Sequence, residues 1–401
     1  MRFKERAVIS ERLWAQRARG FGETIFAEMT ALALKHDAVN LGQGFPDFDP
    51  PPFVMEAAQR AMADASTQQY ARGSGELVLT EIIAEESGHA LGRSIDPTSE
   101  VTITVGATEA LFAATLALVE PGDEVILFEP FYDSYPANVS IAGGTARYVP
   151  LRPGADGRWT FDQDELAAVF SARTKLIVLN TPHNPTGKVF RRDELEQIAG
   201  LCQRHDVLAL CDEVYEHLAF DGKHLSLASL PQMWERCLVI SSAGKTFSVT
   251  GWKIGWVVAP PHLSLALRRI HQWIPFAVAT PLQHAVAASM RVAKESNYYS
   301  EFLQLYAGKR KRLMDALTPT PLRAYEPEGT YFVMADLSES GYESDVELCR
   351  ALPRDFGVAA IPPSVFYGEK HRRMGRKLLR FAFCKRDATL DEAARRLAAL
   401  P

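Results

Sequence analysis

The sequence predicts an α/β protein built on a mostly parallel sheet that helices cover on both faces. Short runs of Val, Ile and Leu alternate with helical or turn-rich stretches over more than a hundred residues. Small and polar residues follow several of these runs. Because ligands of such sheets bind at the carboxyl ends of the strands, we expect a functional site at these positions.

The first part of the chain predicts a charged arm and three helices. The arm covers residues 1 to about 40 and contains a helix at 24–36, and further helices are expected at 53–64 and through residue 86. The loop around Gly44 allows a backbone to approach a ligand closely, although a plain loop has the same composition. A polar loop around Tyr70 separates the second and third helices.

A strand at 101–105 ends at Gly106 and leads directly into a helix that ends near residue 119. The unpaired N–H groups and the positive dipole end at such a helix start suit a phosphate group. Thr108 would belong to that site, or it would serve only as the N-cap of the helix.

The remaining pattern divides the chain into a large and a smaller unit. Strands of the large unit are expected at 124–128, 146–149, 175–180, 207–211, 237–241 and 253–259. A helix with Arg268, a turn at 275–281 and a helical run to residue 317 come next, followed by strands at 330–335, 358–361 and 379–383 and helices at 346–352 and at the end of the chain. We expect residues 46–290 to form a large domain, 291–401 a small αβ domain, and 1–45 an arm and part of the small domain.

Composition is typical of a soluble enzyme that handles small molecules. The net charge of −5 is mild and its charges are interspersed, which disfavours nucleic acid and anionic membrane as partners. The five cysteines lack paired metal-type spacing, so we expect reduced core cysteines and no metal. The first twenty residues hold no apolar signal region, and no later stretch reaches the roughly 20 apolar residues of a membrane span. These features predict a cytoplasmic protein.

The most informative stretch runs from Ser242 through Lys245 to Lys253. An apolar run leads into a hydroxyl and a lysine, and a second lysine follows eight residues later. A lysine amine condenses with aldehydes once desolvation or a cationic neighbour lowers its pKa, and Lys253 is a candidate neighbour. A solvated surface lysine is the alternative, but the segment is poor in other charges. We therefore expect an anion site beside a covalent site.

Two further motifs end predicted strands. Asn184 lies in an Asn-Pro-x-Gly turn, from which it can donate to a ligand oxygen. Asp212 and Tyr215 follow the next strand, and a buried aspartate needs a cationic partner. That partner is a protonated ring nitrogen or an ordinary salt bridge.

Taken in this order, Asn-Pro-x-Gly, Asp-x-x-Tyr and Ser-x-x-Lys resemble the pyridoxal-phosphate-dependent aminotransferases of fold type I, class I/II. The resemblance spans essentially the whole chain. Within the family it is greatest to the kynurenine aminotransferase and glutamine transaminase K group and to bacterial methionine aminotransferases. It implies a large domain with a seven-stranded sheet and a smaller αβ domain. The stretches that carry it are Leu41-Gly42-Gln43-Gly44-Phe45-Pro46-Asp47-Phe48, Asp212-Glu213-Val214-Tyr215, Ser242-Ala243-Gly244-Lys245-Thr246 and Thr250-Gly251-Trp252-Lys253.

The resemblance implies pyridoxal 5'-phosphate as cofactor, with Lys245, Asp212 and Tyr215 as catalytic residues. Lys245 would bind the cofactor covalently and act as the general base for the substrate Cα proton. Asp212 would keep the ring nitrogen protonated. Tyr215 and Asn184 would bond the phenolic oxygen, and Asn184 would also reach the substrate carboxylate. Tyr132 would stack on the ring, with a core tyrosine as the alternative.

The resemblance also implies a homodimer, in which Tyr70 reaches the phosphate from the neighbouring subunit. The other residues around the phosphate would be Gly106, Ala107, Thr108, Ser242 and Lys253. Arg380 would hold the substrate α-carboxylate as a bidentate fork, and the Gly44 backbone would close over it. Phe26 and Phe276 would line a pocket for a large apolar or aromatic side chain.

The chain departs from the family pattern in two places. Leu79-Thr80 replaces a Leu-Arg pair after the Tyr70 loop, and no catalytic role depends on it. Pro362-Pro363-Ser364 replaces the Pro-Gly of many relatives, which bears on the shape of the entrance loop and on substrate choice.

The expected activity is ping-pong transfer of an amino group from methionine, glutamine, kynurenine or an aromatic amino acid to a 2-oxo acid. A cysteine-S-conjugate β-lyase is the alternative, because a carbanion at Cα can expel sulfur from Cβ with the same residues. A transcriptional regulator on this fold would need a DNA-binding domain, for which the first forty residues are too short. A nicotinamide-dependent dehydrogenase would need Gly-x-Gly-x-x-Gly at a helix start, and the sequence has none there.

Overall fold

A seven-stranded sheet lies at the centre of the chain, which a computed structural model describes over residues 13–401. The order across it is β2-β10-β9-β8-β7-β3-β4. Strand β10 runs antiparallel to both of its neighbours, and the other pairs are parallel. The predicted mostly parallel sheet is thus confirmed. The strands of residues 13–401 are β1 (Val39–Asn40), β2 (Val101–Val105), β3 (Glu124–Glu129), β4 (Thr145–Pro150), β5 (Arg152–Pro153), β6 (Trp159–Thr160), β7 (Thr174–Asn180), β8 (Leu208–Asp212), β9 (Cys237–Ser242), β10 (Ile254–Val258), β11 (Arg323–Tyr325), β12 (Phe332–Asp336), β13 (Val358–Ala359) and β14 (Leu378–Ala382).

Helices cover both faces of this sheet, as the sequence predicts. Shorter 3-10 segments include Thr250–Trp252 and Pro363–Phe366, and a π turn spans Leu352–Phe356. The α-helices of the described residues are α1 (Ile25–Lys35), α2 (Pro52–Ala63), α3 (Leu77–Leu91), α4 (Gly106–Leu118), α5 (Ser134–Ile141), α6 (Gln163–Val169), α7 (Arg192–His205), α8 (Ala243–Thr246), α9 (Pro261–His271), α10 (Thr280–Glu295), α11 (Tyr298–Leu317), α12 (Asp345–Ala351), α13 (Arg372–Gly375) and α14 (Asp387–Leu397).

The central strands divide their side chains between two hydrophobic cores. In β3, Val125 and Leu127 face one core, whereas Ile126 and Phe128 face the other. The first core contains α4 and the strands near the C-terminus, and the second contains α3, α7 and α10. Alternate side chains of a strand point to opposite faces, so a strand buried on both faces is apolar throughout.

The strands position the site because several of them end at one edge of the sheet. Strand β8 ends at Asp212, β9 ends at Ser242, and β2 leads directly into α4 at Gly106. The reversed strand β10 begins at the same edge, immediately after Lys253. Polar residues from separate parts of the sequence therefore meet there.

A three-stranded antiparallel sheet, β11-β12-β14, forms the centre of the C-terminal part. Strand β1 pairs in parallel with β13, so the segment near residue 40 joins the C-terminal part of the chain. This pairing agrees with the expected small domain, whose exact boundaries stay a prediction. The first twelve residues of the expected arm lie outside the described residues.

Two details differ from the sequence-based expectation. The predicted turn at 275–281 ends early, since Pro281 lies in the first turn of α10, where its missing N–H needs no partner. The predicted strand at 358–361 is shorter and pairs with β1. All five cysteines are buried and free. Within residues 13–401, no helix has both the length and the apolar character to cross a membrane.

Candidate active site

A cavity of about 300 Å³ opens at the edge where these strands end. It brings together most of the predicted site residues, from the N-terminal segment to β14. The lining comprises the predicted Phe26, Gly44, Ala107, Thr108, Tyr132, Asn184, Asp212, Tyr215, Lys245 and Arg380, together with Gln43, Phe45, Leu111, Tyr135, Asn180, Val214, Thr250 and Phe332.

Lys245 lies in the short helix α8, which follows β9 directly. Its Nζ donates to the Gly44 carbonyl oxygen at 3.4 Å and lies 5.8 Å from the ring centre of Tyr215. Burial lowers the pKa of Lys245 to about 8, and the neighbouring Lys253 acts in the same direction. A lysine with such a pKa is partly neutral near pH 8, which is the state that attacks an aldehyde.

Asp212 ends β8 with its carboxylate buried at the cavity wall. The Tyr135 hydroxyl donates to its Oδ2 at 2.7 Å, and the Val214 backbone N–H donates to its Oδ1 at 3.4 Å. Burial raises the pKa of Asp212 to about 6, and the hydrogen bond from Tyr135 is the main opposing influence. Within the described chain, no cation lies at salt-bridge distance from Asp212, so the expected cationic partner is not a side chain of residues 13–401.

The start of α4 and the start of β10 meet beside the cavity. Lys253 Nζ donates to the Thr108 hydroxyl at 3.2 Å. A Cβ on Gly255 would lie 2.5 Å from the Gly106 carbonyl carbon and 2.7 Å from the Ala107 nitrogen, so only glycine permits this approach. The backbone N–H groups of a helix start and a lysine are thereby placed together, as an anion site requires. Ser242, the residue before α8, lies next to Gly255 in the sheet.

Arg380 lies in β14 and is 2% exposed. Its Nη1 donates to Asn184 Oδ1 at 3.1 Å and its Nη2 to the Gly42 carbonyl at 2.8 Å, while its Nε has no partner. The guanidinium carbon lies 4.3 Å from the ring centre of Phe332 and 5.2 Å from that of Phe26. Burial lowers the pKa of Arg380 to about 10. Since no carboxylate of residues 13–401 forms an ion pair with it, this buried cation can receive an acid from a ligand.

Comparison with known proteins now identifies the family. The sequence profile of the family Aminotransferase class I and II matches residues 36–397. The chain belongs to the class I and II aminotransferases. The resemblance expected from the ordered motifs is thereby confirmed, and so is the expectation of a transaminase.

Relatives of this aminotransferase carry different substrate names. Human kynurenine–oxoglutarate transaminase 1 is 42% identical over 96% of this chain and 97% of its own length. The solved N-succinyldiaminopimelate aminotransferase of Mycobacterium tuberculosis is 44% identical, with a TM-score of 0.92 over 97% of this chain and 100% of its own. YbdL of Escherichia coli, which has a methionine aminotransferase function, is 41% identical, with a TM-score of 0.91 over 97% and 100%.

Five predicted site residues of the aminotransferase do not line the cavity of a single chain: Gly106, Ser242 and Lys253 lie beside it, and Tyr70 and Phe276 are exposed. Tyr70 is 84% exposed and Phe276 is 62% exposed. Their rings contact each other edge to face, with centres 5.2 Å apart. The role of Tyr70 was expected across a subunit interface, so its exposed ring is compatible with that prediction. The cavity of one chain does not include Phe276, and its substrate role stays a prediction.

Several residues that line the cavity or contact its lining were not predicted from the sequence of the aminotransferase. Tyr135 follows Tyr132 by three residues, and this helical spacing is the signal that could have placed both on one side of a turn. Tyr331 is fully buried, and its hydroxyl donates to the Gly44 carbonyl at 2.5 Å. Phe332 packs so closely on Gly44 that a Cβ there would lie 2.7 Å from its Cζ. Nothing in the local sequence of these last two residues indicates a site.

Proposed function

We propose that this aminotransferase uses pyridoxal phosphate to move the amino group of a large neutral amino acid to a 2-oxo acid by a ping-pong mechanism. Methionine, glutamine, kynurenine and the aromatic amino acids form the expected donor class. The observation that supports this proposal most is that one cavity holds both Lys245, whose pKa is lowered, and the buried Arg380, which has no carboxylate partner among residues 13–401.

The side chains present fit the cofactor group by group. The aldehyde would meet Lys245, the ring nitrogen Asp212, and the phenolic oxygen Tyr215 and Asn184. The phosphate would lie at the start of α4 with Lys253, where Gly255 permits the close approach of β10 to Gly106 and Ala107. Tyr132 would pack on the ring. When bound, the cofactor supplies an aldehyde that exchanges amino groups and a ring that withdraws electrons.

The protein residues would orient the substrate and move its proton. Arg380 would hold the α-carboxylate with its fork, and Asn184, already bonded to Arg380, would support the same group. Lys245 Nζ would accept the proton that leaves the substrate Cα, since a base with a pKa near the working pH transfers protons efficiently. The rings of Phe26 and Phe332 would keep water from the carboxylate end.

The rest of the cavity wall favours a neutral substrate side chain. Its remaining lining residues are mostly apolar or aromatic, and among the described lining residues the cations are Lys245 and Arg380. Both would be occupied by the reaction itself, so a second substrate carboxylate would find no further cation among the described lining residues. The cavity wall therefore favours neutral donors over N-succinyldiaminopimelate, after which one relative is named.

We further propose a homodimer in which Tyr70 completes the phosphate site of the partner. The exposed contact of Tyr70 with Phe276 supports this arrangement, because single-chain exposure of two packed aromatic rings is typical of an interface.

A spectrum of the purified protein tests the cofactor and the lysine together. Wild type is expected to show a visible absorbance band that methionine bleaches and a 2-oxo acid restores. Lys245→Ala is expected to lose this response, whereas the exposed Lys175→Ala, as matched control, keeps it. A wild-type protein without a band after addition of pyridoxal phosphate would refute the proposal.

A donor series tests the substrate class. Methionine, glutamine, kynurenine and phenylalanine are expected to react faster than aspartate and N-succinyldiaminopimelate. A faster reaction with either acidic donor would contradict the neutral pocket. Release of pyruvate from a cysteine conjugate without an acceptor would assign β-lyase activity instead of, or beside, transamination.

A further inference from the structure

The Asp212 carboxylate depends on one neutral side chain for its ionised state. Its Oδ2 accepts the Tyr135 hydroxyl at 2.7 Å, which is shorter than the 3.4 Å contact of its Oδ1 with the Val214 N–H. Burial raises the pKa of Asp212, and among the influences that lower it the bond from Tyr135 is the largest. Lys245 lowers it less, and Glu213 raises it. The hydroxyl of Tyr135 is therefore the main group of this chain that favours the carboxylate anion.

The fold fixes Tyr135 as a permanent donor. It lies in the first turn of α5, directly after the loop with Tyr132, and is 5% exposed. Its ring contacts that of Tyr132 edge to face at 5.6 Å between centres. Burial and the nearby carboxylate raise the pKa of Tyr135 well above its ordinary value, so the phenol keeps its proton. A ring held by packing keeps this hydroxyl within hydrogen-bond distance of the Asp212 carboxylate.

The other side chains near Asp212 do not replace Tyr135 as the hydrogen-bond donor to its carboxylate. The phenols of Tyr132 and Tyr215 have raised pKa values because of burial, with a contribution from Asp212, and are therefore neutral. The Asp212 backbone is held separately, because its carbonyl accepts Asn180 Nδ2 at 2.9 Å and the Thr181 N–H at 3.1 Å. The backbone bonds fix where the residue lies, and Tyr135 fixes how its carboxylate is turned.

We propose that Tyr135 is a positioning residue that acts through Asp212, keeping the carboxylate ionised and turned so that it can hold a proton on a ring nitrogen in the cavity. A carboxylate accepts about four hydrogen bonds, and residues 13–401 supply two of them. The proposal rests on the proposed function, since pyridoxal phosphate supplies the ring nitrogen.

The variant Tyr135→Phe tests this role because it keeps the ring and removes only the hydroxyl. In the cofactor-free protein, infrared titration of the Asp212 carboxylate, assigned with Asp212→Asn, is expected to show a midpoint higher by about one pH unit or more. In the loaded protein, nitrogen NMR of isotope-labelled pyridoxal phosphate is expected to show the ring nitrogen losing its proton at lower pH than in wild type. Tyr148→Phe is the matched control, since Tyr148 is a partly buried tyrosine that stacks on Phe131 at 5.5 Å.

The outcomes separate the two proposals. Upward movement of the midpoint and earlier loss of the ring proton in Tyr135→Phe alone would support the positioning role. An unchanged midpoint, or equal movement in both tyrosine variants, would overturn it, as would a moved midpoint with an unaltered ring nitrogen. Failure of wild type to bind pyridoxal phosphate would overturn the proposed function and the ring-nitrogen role with it. That failure is recognisable by itself, because the carboxylate titration needs no cofactor.

Discussion

The ammonium of Lys253 lies 3.2 Å from the hydroxyl of Thr108, joining the start of the one reversed strand to the first turn of α4. Lys253 adopts a left-handed backbone conformation, with φ of +57°. An L-residue in that region costs about 1 kcal/mol or more, which is typical of strain kept at a functional site.

Lys253→Ala is expected to weaken binding of inorganic phosphate and of pyridoxal phosphate by about 10-fold or more, because a charged hydrogen bond is lost. Lys253→Gly should lose the same affinity, yet unfold at a higher temperature than Lys253→Ala, since glycine relieves the strain. Calorimetric titration and thermal unfolding measure the two effects. Unchanged phosphate binding in both variants would place the anion site elsewhere.

Lys245 gives the cofactor-free protein a characteristic pH dependence. Its folded-state pKa of about 8 lies below the ordinary 10.5, so the unfolded chain binds more protons between these values. The contribution of Lys245 to the free energy of unfolding therefore rises with pH from about 8 to 10.5 and is most unfavourable below pH 8. Lys245→Met should stabilise the cofactor-free protein by about 3 kcal/mol at pH 7, and this gain should vanish as the pH approaches 10.5.

Denaturant unfolding over this pH range measures the difference, with the exposed Lys175→Met as control. A difference between Lys245→Met and wild type that stays constant across the range would show that Lys245 is not held in a desolvated position.

Gly44 is expected to tolerate no side chain. A Cβ there would lie 2.7 Å from Phe332 Cζ, and Phe332 packs on the guanidinium of Arg380. Gly44→Ala should displace this ring, cost about 1–3 kcal/mol of stability and raise KM for the amino acid. Phe332→Leu in the same chain should recover part of both losses, which a double-mutant cycle measures. Strictly additive effects would mean that the two residues do not compete for space.

Arg380 is expected to act through its fork as well as its charge. Arg380→Lys keeps the charge but cannot reach Asn184, Gly42 and a carboxylate together, so kcat/KM for the amino donor should fall by about 10- to 100-fold, and further in Arg380→Ala. Binding of pyridoxal phosphate should change little in either variant, because Arg380 lies apart from the proposed phosphate site. Equal activity of Arg380→Lys and wild type would refute the fork.

The central sheet could be predicted from sequence because its strands are apolar on both faces and end in recognisable turns. Strands β1 and β11 could not, since they have only two and three residues and are set by pairing partners distant in the chain. The sequence places Pro281 in a turn, but proline is also common in the first turn of a helix, and the local sequence does not separate these two positions.

The residues of the candidate site also fall into those that the sequence predicts and those that it does not. Lys245, Asp212 and Asn184 follow strands in short motifs, so the sequence alone brings them to the edge where they lie. Tyr135 and Tyr331 are buried tyrosines whose hydroxyls find partners only through tertiary packing. The sequence predicts a cationic partner for Asp212, whereas within residues 13–401 its carboxylate accepts a hydrogen bond from the phenol of Tyr135, which the tertiary structure brings to the end of β8.

The reversal of β10 has a consequence for how the two site lysines are brought together. In a parallel sheet, neighbouring strands are joined by a crossover of a dozen or more residues. Because β10 returns antiparallel beside β9, the chain between Lys245 and Lys253 stays at one edge of the sheet and holds seven residues. Closing a loop of this length costs less chain entropy than closing a longer one, and the connection does not have to cross a face of the sheet. The spacing of Lys245 and Lys253 around the proposed cofactor is thus set by the connection between β9 and β10. Insertions elsewhere in the large sheet would leave this spacing intact.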